Sequence, residues 1–392
     1  MNYLSIVKEI SEDLQTQSIK QQFEVIKDEL KQDWKNIARI YAPSGNEVLR
    51  AEYLVKRFIE IGVDETYIDT HGNAVARIDG DREGHVFAYL GTMDDLATVA
   101  EMVKNWDNPI KEEDGKMVGP GTNISATCIT ILGLAKLFKS PETKFKGTIY
   151  LVGVVQEETG MVGVHGFLED LPETTYLVDI MAGLGRISYG CLGIHWFKVH
   201  FKGPKAHTLR GEGPNVTKGV AEAVNRIWQL ERILDSDENR VYLNISMLGA
   251  GHVFNHRHDD GWFSVDIRSQ NNTNLEEMRE RVLKVVKEVA DEQELEYWIE
   301  DFQKGPAGLI PGSRESDLVR VAEEYSKLLG VEPTVSPRGS SNMNVGVRRG
   351  VKSISTGGDR GGNRNTLDEY ANIEPVFIGL WWNFLIGHTL LR

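Results

Sequence analysis

Two adjacent acids, Glu157 and Glu158, close the apolar, β-branched run at residues 148–155 and are followed by Thr159 and Gly160. Neighbouring side chains on an extended chain diverge. Two adjacent carboxylates can therefore divide the work, one holding a cation and the other moving a proton. Asp179 ends a second apolar run, and the sequence LGTMDD (90–95) ends a third. Acids at the carboxyl ends of buried strands stand where open α/β sheets place their chemistry. An isolated Glu-Glu pair is more often solvated loop charge; acids at three such ends weigh against that reading here.

These acids must be positioned by alternating strands and helices. Ile6, Ile10 and Leu14, then Phe23, Ile26, Leu30, Trp34 and Ile37, recur at helical spacing and predict one or two amphipathic helices ended by Pro43. Ser44 and Glu47 have the spacing of a capping box for a helix reaching residue 61 and stopping at Gly62. Strands are expected at 66–68, 74–78, 86–90, 148–155 and 176–178. A helix through Ile131, Leu134 and Phe138 follows the turn GPGTN (119–123). Cys128 sits in that apolar helix and reads as core. Alternation of this kind implies an α/β domain.

From residue 190 the pattern changes. Strand 194–201, helix 216–233, strands 241–248 and 262–267, helix 275–290 and strand 295–299 give the order β-α-β-β-α-β, a ferredoxin-like split motif. The α/β pattern then resumes with a helix at 316–329 that stops at Gly330, a strand around Ile354 and a C-terminal helix. The expected organisation is an α/β domain (1–189 and 303–392) carrying an inserted ferredoxin-like βαββαβ domain (190–302) used as a lid or dimerisation module.

Composition bounds the partners. With 392 residues, 41% hydrophobic and 26% charged, the chain is large enough for two domains. A net charge of −14 and no long basic cluster argue against nucleic acid, and no apolar stretch has transmembrane length. Two cysteines, Cys128 and Cys191, give no disulfide framework and suggest a reducing compartment. The opening MNYLSIVKEISEDLQ has acids where a signal peptide needs an apolar core, so a cytoplasmic protein is expected.

The motifs LGTMDD, GPGTN, QEETG, VDIMAGLGRISYG, FKGPKAHT, VDIRS, GSSNMN and NTLDEY, spread over nearly the whole chain after the N-terminal helices, resemble those of the M20 family of metallopeptidases and amidohydrolases. The similarity is greatest to tripeptidase-like and acetylornithine-deacetylase-like members, whose zinc-peptidase-like α/β domain carries a smaller inserted domain. The resemblance implies two metal ions, usually zinc, on five side chains. Glu157 stands at the position of the general base, and Glu158 and Asp179 stand at two ligand positions. The other three positions are replaced. Aligned on Leu-Gly-Thr, Met93 takes the place of the first histidine and Asp95 becomes the motif's acid. A one-residue shift puts Thr92 and Asp94 there instead. Asn123 replaces the bridging aspartate, and Asn365 the C-terminal histidine.

A neutral amide is a poor zinc ligand and a thioether selects soft ions, so this set disfavours a zinc pair. Its oxygen donors suit one hard divalent cation or none. Without metal, the carboxyls of Glu157, Glu158 and Asp179 crowd like charges, and at least one is expected to hold its proton more tightly. Asp359, Arg360 and Arg364 lie beside the replaced C-terminal ligand and could substitute fixed positive charge.

On the substrate side, the resemblance gives His207 in GPKAHT an oxyanion role and Arg268 in VDIRS the grip on a substrate carboxylate, a task suited to a guanidinium fork. It also suggests substrate contacts for Asn255, Asn342 and Asn344, with Arg360 as a further candidate. His252, His256 and His258 in GHVFNHRHDD depart from the family pattern and are expected at the surface. Three readings stand. The first is a divergent hydrolase-like enzyme acting on a small amino-acid-derived amide, with Glu157 as base and Asp95 in support. The second is a non-catalytic relative that binds an amino acid, a peptide or a protein partner. The third is an ordinary di-zinc peptidase with ligands from outside the motifs. A homodimer is implied by the resemblance.

Overall fold

The computed structural model describes residues 3–210, 212–231, 240–359 and 361–392. The chain divides into two units, Met1–Cys191 with Leu309–Arg392, and Leu192–Gly308. No helix among the described residues is long and apolar enough to cross a membrane.

The first unit is built on an eight-stranded sheet. Its order is Glu65–Ile68, Ala74–Asp79, Thr148–Val154, Val86–Thr92, Tyr176–Ile180, Lys352–Thr356, Arg186–Ser188 and Thr334–Ser336. The strands Thr148–Val154, Val86–Thr92, Tyr176–Ile180 and Lys352–Thr356 run parallel, so their carboxyl ends share one edge of the sheet. Nearly continuous apolar sequence makes these strands stable only when both faces are covered. Register brings the candidate residues together: Thr92 lies opposite Val154, and Asp179 lies opposite Leu90 on one side and Ser355 on the other.

Helix Thr122–Phe138 is buried almost all round and carries Asn123 at its first turn. The long helix Leu14–Ala38 packs on it, and the Trp34 indole donates to the Thr122 carbonyl at 2.8 Å. That helix stops at Ala38, short of Pro43. Helix Val48–Ile61 begins beyond Glu47 without a side-chain cap. The expected capping box does not form, because Ser44 and Glu47 serve distant parts of the chain, as described below. The helix does end at Gly62, in the left-handed conformation expected of a C-terminal glycine.

The second unit has the order β-α-β-β-α-β. Strands Val241–Asn244, Asp260–Ser269, Gly193–Lys202 and Glu296–Gly305 lie side by side, and Leu248–Ala250 also pairs with Asp260–Ser269. Helices Val216–Trp228 and Asn272–Glu292 pack with this sheet around Phe197, Phe201, Phe263, Val220 and Val282. Three details differ from the sequence reading. The expected strand at 241–248 is two strands, because its pairing with Asp260–Ser269 shifts by one residue between Asn244, opposite Asp266, and Leu248, opposite Phe263. The strand expected to end at 299 runs to Gly305; most of its side chains are exposed, so apolar periodicity does not mark it. The helix expected to reach 233 ends at Trp228, and residues 232–239 lie outside the described residues.

Candidate active site

The Glu-Glu turn is held by two carboxylates from other parts of the chain. Gln156 adopts a left-handed conformation (φ 56°), which turns the next amides inward. Its own amide donates to Glu47 Oε1 at 2.9 Å. The Glu157 amide donates to Asp94 Oδ1 at 2.9 Å and the Glu158 amide to Asp94 Oδ2 at 3.0 Å. Successive amides converging on anions form a nest, and here the anions are built into the protein. The Ser44 hydroxyl donates to Asp94 Oδ2 at 2.6 Å, and the Gly45 amide to Glu47 Oε1 at 2.9 Å. Burial pushes the Glu47 carboxyl above the usual carboxylate range, against the pull of the Gly45 and Gln156 amides. Glu157 and Glu158 are themselves half-buried.

Asp95 has a different partner. It is fully buried and pairs with the equally buried Arg50 at 2.7 Å. The same guanidinium donates to the Met93 carbonyl at 2.5 Å and the Ile40 carbonyl at 2.9 Å. Asp95 therefore braces the fold, and its carboxylate is not placed to take a proton from solvent. Met93 points into the main core. A side chain begun at Gly153 would meet the Met93 sulfur at 2.8 Å and Leu54 at 2.7 Å, so Met93 occupies space that only a glycine leaves open. The frame that fits the geometry is the shifted one, with Thr92 in the first ligand position and Asp94 as the motif's acid.

Thr92 Oγ1 accepts from Asn342 Nδ2 at 3.0 Å, and the amide of the next residue, Met343, donates to Asp179 Oδ2 at 3.3 Å. Asn342 and Asp179 are fully buried. Asn344 is also buried, in the short helix Met343–Arg348, and its backbone amide donates to the Ser341 carbonyl at 2.9 Å.

At the first turn of helix Thr122–Phe138, the Asn123 amide donates to Glu369 Oε1 at 3.1 Å. Glu369 was missed by sequence reasoning, although it belongs to NTLDEY. It is buried, and burial raises its carboxyl above the usual range. Asn365 is left-handed (φ 60°), and its side-chain oxygen accepts from Thr98 at 3.0 Å. Asp359 accepts both amides of Asn372, backbone and side chain. Arg360 lies outside the described residues.

On the second unit, Ala206–His207 pairs with His256–Arg257 in a small ribbon. His207 Nδ1 accepts from the Leu209 amide at 3.1 Å. Asn255 Nδ2 lies 3.4 Å from His207 Nε2. Arg268 forks onto Asp266 two residues before it, at 3.0 and 3.1 Å, and lies over the Trp196 ring. Of the three extra histidines, His256 packs edge-on against His207, and His252 against His258.

A family model described as peptidase family M20/M25/M40 matches residues 90–379. The chain belongs to peptidase family M20. A Pyrococcus furiosus protein described as a LysW-lysine/LysW-ornithine hydrolase is 27% identical over 180 residues, covering 46% of this chain and 49% of that one. The chain thus matches about half the length of that curated relative. Among solved structures, a tripeptidase from Staphylococcus aureus superposes with a TM-score of 0.74 at 19% identity, covering 92% of this chain and 97% of that one. Bacillus subtilis YxeP, described as a dinuclear metal-binding peptidase of the M20 family, superposes with a TM-score of 0.64 at 15% identity, covering 94% and 99%. At these identities the likeness is one of fold.

The M20 residues of this chain do not fit a zinc pair. Thr92, Asn123 and Asn365, which the resemblance sets at three of the five ligand positions, are not the histidine and carboxylate donors that zinc takes, and the Asp94 carboxylate is already shared among Ser44 and two amides. Among the described residues, the one group of three histidine, cysteine or carboxylate donors within 4.8 Å of one another is His258, Asp259 and Asp260, in the second unit. There Asp259 is paired with Lys205 at 3.0 Å.

Proposed function

We propose that this M20 chain is a divergent hydrolase acting on a small amino-acid-derived amide, with Glu157 as general base and without the two-metal centre. The pinned Glu-Glu turn is the observation that carries this reading. Two buried acids, Glu47 and Asp94, and a strained Gln156 hold Glu157 and Glu158 at the shared carboxyl edge of four parallel strands. Strained backbone and buried carboxylates of this kind cluster at functional sites.

In this proposal Glu157 takes a proton from the attacking water and returns it to the leaving amine. The roles the family resemblance gives His207, toward an oxyanion, and Arg268 and Asn255, toward a substrate, belong to the same proposal. Asp95, committed to Arg50, has a positioning role only. Cytoplasmic location and a homodimer belong to the same proposal.

A second reading, a non-catalytic relative that binds an amino acid or peptide, is favoured by one observation: three neutral side chains stand at ligand positions. The experiment that separates the two is hydrolysis of a panel of N-acyl amino acids and short peptides by chelator-treated protein. We expect turnover of at least one substrate, lowered at least about a hundredfold by Glu157→Gln, the range of a lost general base. No turnover of any amide, or turnover indifferent to Glu157→Gln, overturns the proposal.

A further inference from the structure

The second unit holds a cavity of about 920 Å³ between the start of helix Val216–Trp228 and the segment GHVFNHRHDD. That segment departs from the family pattern, and the proposed hydrolysis gives most of it no task. His207, Asn255 and Arg268 do not appear among the described residues that wall the cavity. Its volume is that of a site for a whole small molecule, about 300–1,000 Å³. The fixed charges on its walls are Arg257, Lys218 and Glu212; His252, His256 and His258 add no negative charge.

Arg257 is the unusual member. In the same unit Arg226, Arg268, Arg279 and Arg281 each pair with a carboxylate. Arg257 is half-buried, yet among the described residues it has no carboxylate partner, and its Nε, closed to solvent, has no acceptor. Asp259, two residues on, is held by Lys205 at 3.0 Å. A guanidinium withdrawn from water without an acceptor is costly, so this fork is built for an anion. Its place is fixed. The ribbon sets Arg257 opposite Ala206, and a side chain begun at Gly213 would meet its Nη1 at 2.8 Å. Gly213 leads into Asn215, whose side chain takes the Lys218 amide at 3.3 Å and caps the helix. The two cations therefore share one wall, and Lys218 has no acid paired with it among the described residues.

We propose that this cavity binds a small phosphate ester, its phosphoryl group received by Arg257 and Lys218. A guanidinium fork takes two oxygens, and an ammonium is a separate point charge. A carboxylate has only the two oxygens that the fork already meets. A phosphoryl group has a third for Lys218, and a second negative charge to match the second cation. Val253 and Phe254, both exposed, give the cavity an apolar lip for the body of the ester. The site stands whether or not the Glu157 edge hydrolyses amides.

The test is calorimetric titration of the full chain, at fixed ionic strength, with phenyl phosphate, inorganic phosphate and benzoate, which keeps the ring and replaces the phosphoryl group by a carboxylate. We expect one phenyl phosphate per chain, with benzoate at least about tenfold weaker. Arg257→Ala should weaken phenyl phosphate at least about tenfold and Lys218→Ala about fivefold. Should the half-buried Arg257→Ala fail to fold, the exposed Lys218→Ala reads the same cavity. Benzoate bound as tightly as phenyl phosphate overturns the phosphoryl assignment. Phenyl phosphate binding that neither variant changes overturns the site, as does no binding of any of the three. Inorganic phosphate bound while phenyl phosphate is excluded assigns the cavity to the free ion and overturns the ester.

Discussion

Asp94 accepts the Glu157 amide at 2.9 Å and, through its other oxygen, the Glu158 amide at 3.0 Å. One buried carboxylate thereby fixes the backbone beneath both acids of the pair. Truncating it leaves two amides and the Ser44 hydroxyl without their acceptor. Hydrogen bonds to a charged group contribute more than neutral ones, about 1.5–3 kcal/mol each. We expect Asp94→Ala to lower stability by about 2–4 kcal/mol in urea denaturation. We also expect the Glu157 and Glu158 amides to exchange with solvent much faster, by hydrogen-exchange mass spectrometry. Unchanged exchange at those two amides would show that the turn is held by something else.

Arg50 and Asp95 form a buried ion pair, 2.7 Å apart and closed to solvent. Removing one partner strands the other charge, which costs about 3–5 kcal/mol, whereas replacing both with apolar groups is often neutral. Arg50→Met should therefore unfold far more easily than the wild type. The double variant Arg50→Met, Asp95→Leu should recover most of the loss. Equal destabilisation by the single and double variants in thermal melts would contradict the pairing.

His388 is fully buried and stacks on Phe384, with ring centroids 5.3 Å apart. Burial, helped by Arg392, pushes its imidazole down to about 4. The unfolded chain binds this proton more readily, with a pKa near 6.5. Stability should therefore fall as pH drops below about 6.5, and the loss levels off below about 4. The size is about 3 kcal/mol by linkage. His388→Phe should flatten that part of the stability–pH curve. Curves of identical slope for wild type and variant between pH 6.5 and 4 would contradict it.

Much of the architecture is legible in the sequence because its signals are local and periodic. The apolar run closed by Gly153 and Val154 and the helix through Ile131 and Phe138 read directly as buried elements. The βαββαβ order reads from alternation alone. The site is harder. Ser44 and Glu47 have capping-box spacing, but tertiary partners at Asp94 and Gln156 take them instead. Residues 92–95 admit two frames one residue apart, and only packing of Met93 against Gly153 and Leu54 separates them. Arg50 gives no sequence signal, since an arginine on an amphipathic helix normally reads as surface. Glu369 is invisible for a similar reason: its work is to hold a backbone amide 246 residues away.

The measurement that bears most directly on the altered site is metal content by mass spectrometry, on protein purified without chelator or added metal, beside a Glu158→Ala sample. We expect no stoichiometric zinc pair in the wild type and little difference between the two samples in zinc. Two zinc ions per chain that disappear in Glu158→Ala would mean that the site is rebuilt from ligands outside the motifs, and would contradict the proposed chemistry.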